Sequence, residues 1–262
     1  MIPVDGDFIL AVAPRFSGAR AEAQLRIVGE LSGVFSATLA KYKINSRLRI
    51  AHFMGQVTHE CAGFRTTQEF ASGAAYEGRK DLGNTERGDG KRYKGRGLIQ
   101  LTGRANYKKI GKILKLPLEE KPDLAAEPVT SLIIACEYWK SRKINTAADR
   151  DDLIKVTKLV NGGRNGLEDR RKYLQKAKEE LARIEAIRIA LKEGGATTVL
   201  RRGSFGDAVE ELQDLLSKKG FAISIDSDFG AATEFAVTLF QFKNGLKADG
   251  IVGRKTWKQL RA

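Results

Sequence analysis

Apolar residues in the first 190 positions recur three and four apart, a spacing that commits this part of the chain to packed helices. Leu25, Val28 and Leu31 make one stripe, Ile50, Phe53, Met54 and Val57 a second, and Leu132, Ile133, Ala135, Cys136 and Trp139 a third. The expectation is a mainly α fold. A final basic helix is predicted roughly from Leu167 to Lys192, with Gly194 and Gly195 supplying its C-cap. The domain reading is 1–193 for the first domain, 194–199 for a linker and 200–262 for a second. In the latter, Val209, Leu212, Leu215 and Leu216, then Ala236, Val237, Leu239 and Phe240, are separated by Gly/Asp turns. A small three-helix module is expected there. Between the helical stripes, Ser72 to Gly97 is rich in glycine and charge with little apolar periodicity. It is too long for a routine connection and marks a functional loop.

The 262 residues are 42% apolar and 30% charged, which excludes wholesale disorder. No run approaches the ~18 apolar residues needed to cross a bilayer, and the start lacks a basic region before its short apolar patch. The chain is therefore expected to be made without a secretory signal and without stable membrane insertion. Cys61 and Cys136 are too few for a disulfide framework and read as buried thiols. Only His52 and His59 are present, and Gly63 stands where an HExxH site would need its second histidine. Neither a metal nor an organic cofactor is expected. Residues 1–193 hold 36 Lys and Arg against 24 Asp and Glu, a net +12, whereas 194–262 hold 10 against 8, a net +2. That field favours an anionic partner, be it nucleic acid, anionic lipid or a wall polymer, and charge alone does not choose.

Two carboxylates stand out. Glu60 follows the second apolar stripe and Glu69 lies nine residues on. On one straight helix they would be ~13.5 Å apart along the axis, beyond the ~6.5 to 9.5 Å that an inverting glycosidase needs across its bond. The chain must turn between them, and Gly63 makes the turn plausible. Taken singly, a glutamate near a helix end is usually just a solvated side chain.

Three blocks occur in order: THE at 58–60 with Glu69, RYKGRGLIQLTGRANY at 92–107, and VNGGRNGLEDR at 160–170. Together they resemble glycoside hydrolase family 19, whose chitinase-like, lysozyme-like helical fold with a cleft also occurs in phage endolysins. Leu98 stands where that family commonly has Pro. The segments LRRGSFGDAVEELQDLL and DFGAATEFAVTLFQFKNGLKADGIVGRKTW resemble peptidoglycan-binding-like domains, with Ser227 where the usual turn has Gly.

The resemblance implies Glu60 as general acid and Glu69 as general base, with Thr102 holding the attacking water. It also implies Gln100, Asn106 and Asn161 as amides that bind N-acetyl sugars, Arg170 as the cation organising the carboxylates, and Tyr93 as packing on a sugar ring. The apolar face of Phe53, Met54 and Val57 is expected to lead into Glu60 and keep it protonated. Plainer roles stand beside these: Thr102 as an N-cap, Asn161 as a C-cap, Arg170 as a surface ion pair and His59 as a packing residue.

The function implied is hydrolysis of β-1,4 bonds in bacterial peptidoglycan, as an N-acetylmuramidase, by a monomeric phage endolysin. Such an enzyme is made in the host cytoplasm and reaches the wall after holin release, without a nucleic-acid partner. The alternatives are a chitinase and a non-enzymatic wall-binding protein. A lytic transglycosylase would need no water-activating base, and a peptidase or amidase lacks a Cys/His pair here.

Overall fold

The computed structural model describes residues 2–193 and 198–262, which fall into two compact units, Met1–Leu181 and Ala182–Ala262. The first contains α1 (Gly6–Val12), α2 (Ala19–Ser32), α3 (Phe35–Lys41), α4 (Arg47–Glu60), α5 (Asp89–Arg92), α6 (Arg104–Leu114), α7 (Pro128–Ser141), α8 (Asn145–Ala148) and α9 (Leu153–Asn161). It also holds the start of α10 (Leu167–Glu193), whose last turns are grouped with the second unit. Of the expected linker, residues 194–197 lie outside the described residues, and the compact units divide earlier, within α10. The mainly helical expectation holds. Among the described residues no helix is long and apolar enough to cross a membrane.

The helix that ends at Glu60 is the centre of the first unit. Ser46 caps α4, its hydroxyl accepting from the Arg49 amide at 3.3 Å. From Ile50 to Thr58 every residue of α4 is buried, so it is enclosed on all sides rather than amphipathic. Phe53 meets Trp139 of α7 edge-on at 5.4 Å. The polar residues of α4 are carried inside and need partners there. His52 is paired through Nε2 with Asp151 Oδ1 at 2.8 Å, and Gln56 donates to Thr157 Oγ1 at 3.2 Å. Gly55 permits close approach of α10: a Cβ there would lie 3.1 Å from the Arg170 carbonyl oxygen and 3.2 Å from Leu174 Cβ.

A second apolar cluster of Tyr93, Leu101, Tyr107, Ile110, Leu118, Ala125 and Ile134 underlies the Gly-rich block. The preceding stretch, 72–92, is ordered by polar groups. Buried Asn84 donates to the Tyr76 carbonyl at 2.9 Å and accepts the Arg104 amide at 2.9 Å, capping α6 from twenty residues away. The Asp89 carboxylate accepts the amides of Thr85 and Glu86, and Glu77 accepts those of Gly88 and Gly90. The expected long loop is therefore a folded layer without an apolar period.

The second unit carries α11 (Asp207–Lys218), α12 (Ala231–Lys243) and α13 (Arg254–Arg261) around a core that includes Leu200, Val209, Leu212, Phe229, Phe240, Val252 and Trp257. It is built twice over the same device. Buried Gln213 donates to Asp226 Oδ1, the Asp228 carbonyl and Thr233 Oγ1, and accepts the amides of Asp226 and Ser227. Gln241 does the same with Asp249, Ile251, Thr256 and the amides of Asp249 and Gly250. The two turns are thus structural repeats.

Ser227 occupies the place that Gly250 holds in the other repeat, and both are left-handed, at φ 58° and 71°. The departure from glycine leaves the turn intact and moves its cost into backbone strain, set against a bond from Ser227 Oγ to Glu210 Oε2 at 2.9 Å on the surface. Ser227→Gly is expected to stabilise the second unit by about 1 kcal/mol. Denaturant unfolding checks this, and a loss of stability would show that the surface bond outweighs the strain.

Candidate active site

The sharp turn expected after Glu60 is made by three consecutive left-handed residues, Ala62, Gly63 and Phe64, at φ 50°, 76° and 64°. It is locked by the Gly63 amide donating to the Thr58 carbonyl at 2.7 Å and by the Phe64 amide on Cys61 Sγ at 3.2 Å. Gln24 of α2 holds the same turn, its Nε2 donating to the Gly63 and Pro14 carbonyls at 2.7 and 3.0 Å. Glu69 therefore leaves the axis of α4 and enters a separate hydrogen-bonded segment.

Glu60 sits where α4 meets α10. Its Oε1 accepts from Arg170 Nη2 at 2.5 Å, while Oε2 takes no part in that pair. Arg170 is 1% exposed and is held from two further directions, Nη1 donating to Gln56 Oε1 at 2.7 Å and Nε to the Asn165 carbonyl at 3.1 Å. This is not a surface ion pair. The nearest polar partner of Glu60 is a guanidinium, and Phe53, Met54 and Val57 are buried within the core, so the expected apolar setting for this carboxylate is corrected. His59 aligns the same junction: its Nδ1 is 2.8 Å from Asp169 Oδ2, and its ring lies so close to Gly166 that a Cβ there would clash. Tyr138 of α7 also lies near. Burial pushes its hydroxyl up, Arg142 opposes this and Glu60 adds to it.

Glu69 is held by a different structure. Its amide donates to the Gly95 carbonyl at 3.0 Å, and its Oε1 accepts the Gly95 amide at 2.6 Å. Tyr76 donates from its hydroxyl to Oε2 at 3.0 Å. The strand-like pairing continues through Gln68 opposite Arg96 and Arg96 opposite Leu101, so the GRG block folds back beside Glu69. Gln100 takes the tip at φ 55°, and Thr102 Oγ1 donates to the Gln100 carbonyl at 2.9 Å. Gly95 is the space these groups share: a Cβ there would lie 2.6 Å from Gln100 Oε1, 3.2 Å from Glu69 Cδ and 3.3 Å from Thr102 Oγ1. Glu69, Gln100 and Thr102 thus surround one small site, and Asn106, exposed, donates to the Thr102 carbonyl at 2.7 Å beside it. Thr102 is not the N-cap of α6; that place is held by Gly103.

Two expected sugar contacts are placed otherwise. Tyr93 is 1% exposed, donates to the Glu119 carbonyl at 3.0 Å and packs on Tyr107 at 5.4 Å, so it is core rather than a sugar platform. Asn161 ends α9, with Gly162 as C-cap, and its amide closes its own loop: Oδ1 accepts from Gly163 and Nδ2 donates to the Asn165 carbonyl that Arg170 also holds. It shapes the support of Arg170. Gln56, Tyr76 and Gly95 belong to the site without standing in any of the sequence motifs' expected roles. Gln56 carried a usable signal, one helical turn before Glu60 on the same face.

Burial pushes the Cys61 thiol up to about 12 and raises Cys136 as well, which leaves neither as a ready nucleophile. Among the described residues no group of three or more His, Cys, Asp or Glu side chains is placed to hold a metal ion.

Residues 31–157 match the family model described as chitinase class I, and residues 205–260 match a peptidoglycan binding domain model. A glycosyl hydrolase family 19 domain-containing protein of Haemophilus influenzae is 38% identical over 102 residues, 39% of this chain and 49% of that protein. A spore cortex-lytic enzyme of Bacillus cereus is 37% identical over 78 residues, 29% of this chain and 30% of its own. The chain thus spans half or less of the length of these curated relatives. The fold is similar to that of chitinase C from Streptomyces griseus, with a TM-score of 0.51 at 19% identity over 69% of this chain and 93% of that one.

Arg170→Lys keeps a positive charge but cannot reach Glu60, Gln56 and the Asn165 carbonyl together. A stability loss of about 2 kcal/mol is expected. Chemical denaturation of the purified variant measures it, and an unchanged midpoint would show that the guanidinium fork is dispensable.

Proposed function

We propose that this chain, which joins a glycoside hydrolase family 19 chitinase-like domain to a C-terminal peptidoglycan-binding domain, hydrolyses the β-1,4 glycosidic bonds of bacterial peptidoglycan. The observation that carries the reading is the pair of differently held carboxylates, with Glu69 beside Thr102 and Gln100 around the space left by Gly95.

Glu60, anchored through Oε1, presents Oε2 to the glycosidic oxygen and gives it a proton as the bond to the anomeric carbon breaks. Glu69, fixed by the Gly95 amide and the Tyr76 hydroxyl, takes a proton from a water that Thr102 and Gln100 orient. That water adds to the anomeric carbon from the face opposite the leaving group, so the configuration inverts and no covalent enzyme intermediate forms. Arg170 receives the carboxylate that Glu60 becomes. Solvent then returns a proton to Glu60 and removes one from Glu69. No cofactor is required for any step.

The wall as substrate is supported by the second domain and by the basic first domain, whose +12 field concentrates it on an anionic polymer. The bond is assigned as the N-acetylmuramic acid to N-acetylglucosamine linkage, and the biological role as that of a monomeric phage endolysin that reaches the wall after holin release. Chitin is the second reading, favoured by the description of the matching family model.

Purified sacculi digested by the parent chain should release muropeptides with N-acetylmuramic acid at the new reducing ends by mass spectrometry. Glu60→Gln and Glu69→Gln should each lower the rate by about 10³-fold. Full activity of Glu69→Gln, or anhydro ends, would replace hydrolysis with transglycosylation.

A further inference from the structure

Arg65 lies in the turn between the two carboxylates, and no described carboxylate pairs with it. Its guanidinium is held by aromatic faces instead, with Cζ 5.8 Å from the Phe16 ring centroid and 5.4 Å from that of Phe70. Its Nε is buried with no acceptor. The enclosed Nε does not itself meet a ligand, and a planar cation fixed by rings, with no carboxylate partner among the described residues, keeps its Nη groups for an incoming anion. Phe70, the residue after Glu69, is 77% exposed and presents a ring face to solvent.

Arg65 and Phe70 line one open depression of about 440 Å³ with Ala19, Arg20 and Ala23 of α2. Arg20 adds a second cation with no carboxylate partner among the described residues. The turn that carries Arg65 is fixed by the backbone. Gly63 is left-handed, at φ 76°, and a Cβ on it would lie 2.6 Å from Pro14 Cγ and 3.2 Å from Phe16 Cε2, so the 14–16 segment packs directly on the catalytic turn.

We infer that Arg65, clamped between Phe16 and Phe70 next to the base, forms a subsite for a carboxylate of an acidic N-acetylated glycan, with Phe70 stacking on an adjoining sugar. The inference rests on the reading of the chain as a peptidoglycan hydrolase and adds a reason for it to prefer that polymer over chitin. Chitin is built of neutral sugars, whereas peptidoglycan carries carboxylates on its peptides and, where these are absent, on its muramic acid.

The test uses the full chain made inactive by Glu60→Gln, and soluble glycan strands from purified sacculi in two forms, with carboxylates free or converted to amides. Calorimetry gives the ratio of the two affinities. The parent should prefer the free acid by about tenfold or more, and Arg65→Ala should remove most of that preference, with Arg65→Lys recovering part of it. Lys109→Ala, which removes a charge of α6 outside the depression, should leave the ratio as it was. An unaltered ratio in Arg65→Ala, or an equal fall in Lys109→Ala, would overturn the subsite and assign the preference to diffuse charge. A parent chain with an active Glu60 that leaves sacculi intact while cleaving chitin oligomers would overturn the wall reading itself, a result separable from the loss of the subsite. Thermal melting of each variant separates these outcomes from unfolding.

Discussion

A buried guanidinium must be surrounded by acceptors or it will not stay buried, and the first unit is organised around that requirement at Arg170. Gln56 and Glu60 supply two of the acceptors from one face of α4, and the Asn165 carbonyl supplies the third. The junction exists only because Gly55 lets the backbone of α10 come against α4, and because Gly166 leaves room for the His59 ring. Asn161 then closes the loop that presents the Asn165 carbonyl. Glu60 is therefore fixed by helix packing, the rigid support that the acid role proposed for it requires.

Glu69 is held by other means. Glu69 lies on an extended segment and takes its place from the Gly95 backbone and the Tyr76 hydroxyl, on a hairpin backed by the Tyr93 and Tyr107 cluster. Separate supports allow the two carboxylates to differ in surroundings although only nine residues part them. The triple left-handed turn at 62–64 makes that separation possible within so short a length of chain. The same turn carries Arg65, so the reversal that divides Glu60 from Glu69 also places a cation against the exposed ring of Phe70, the residue after Glu69.

Much of this was legible in the sequence because it follows from period and spacing. The helical stripes, the last helix near Leu167, the three-helix module and the forced turn at Gly63 all come from local rules. The polar packing was not legible. Asn84, Asp89 and Glu77 order the 72–92 layer through side-chain to backbone bonds that leave no apolar period to read. Tyr93 is a related case: an aromatic residue in a Gly-rich block looks like a sugar platform until the cluster it belongs to is seen. The surroundings of Glu60 do not follow from the apolar stripe because α4 is buried on all sides, so its apolar residues point to the core while Gln56 and Glu60 share a polar seam with α10. In the second unit, Gln213 and Gln241 look like ordinary helix residues in sequence, yet each organises one turn of the repeat.

The central claim is that two carboxylates act on one bond in a single displacement, one giving a proton and the other activating water. Proton NMR of the sugar products in the first minutes of reaction, before the anomers equilibrate, measures this directly. The account predicts that the α anomer accumulates first at the newly formed reducing end. Initial accumulation of the β anomer would mean retention through a covalent or substrate-assisted intermediate, and would contradict the roles given to Glu60 and Glu69.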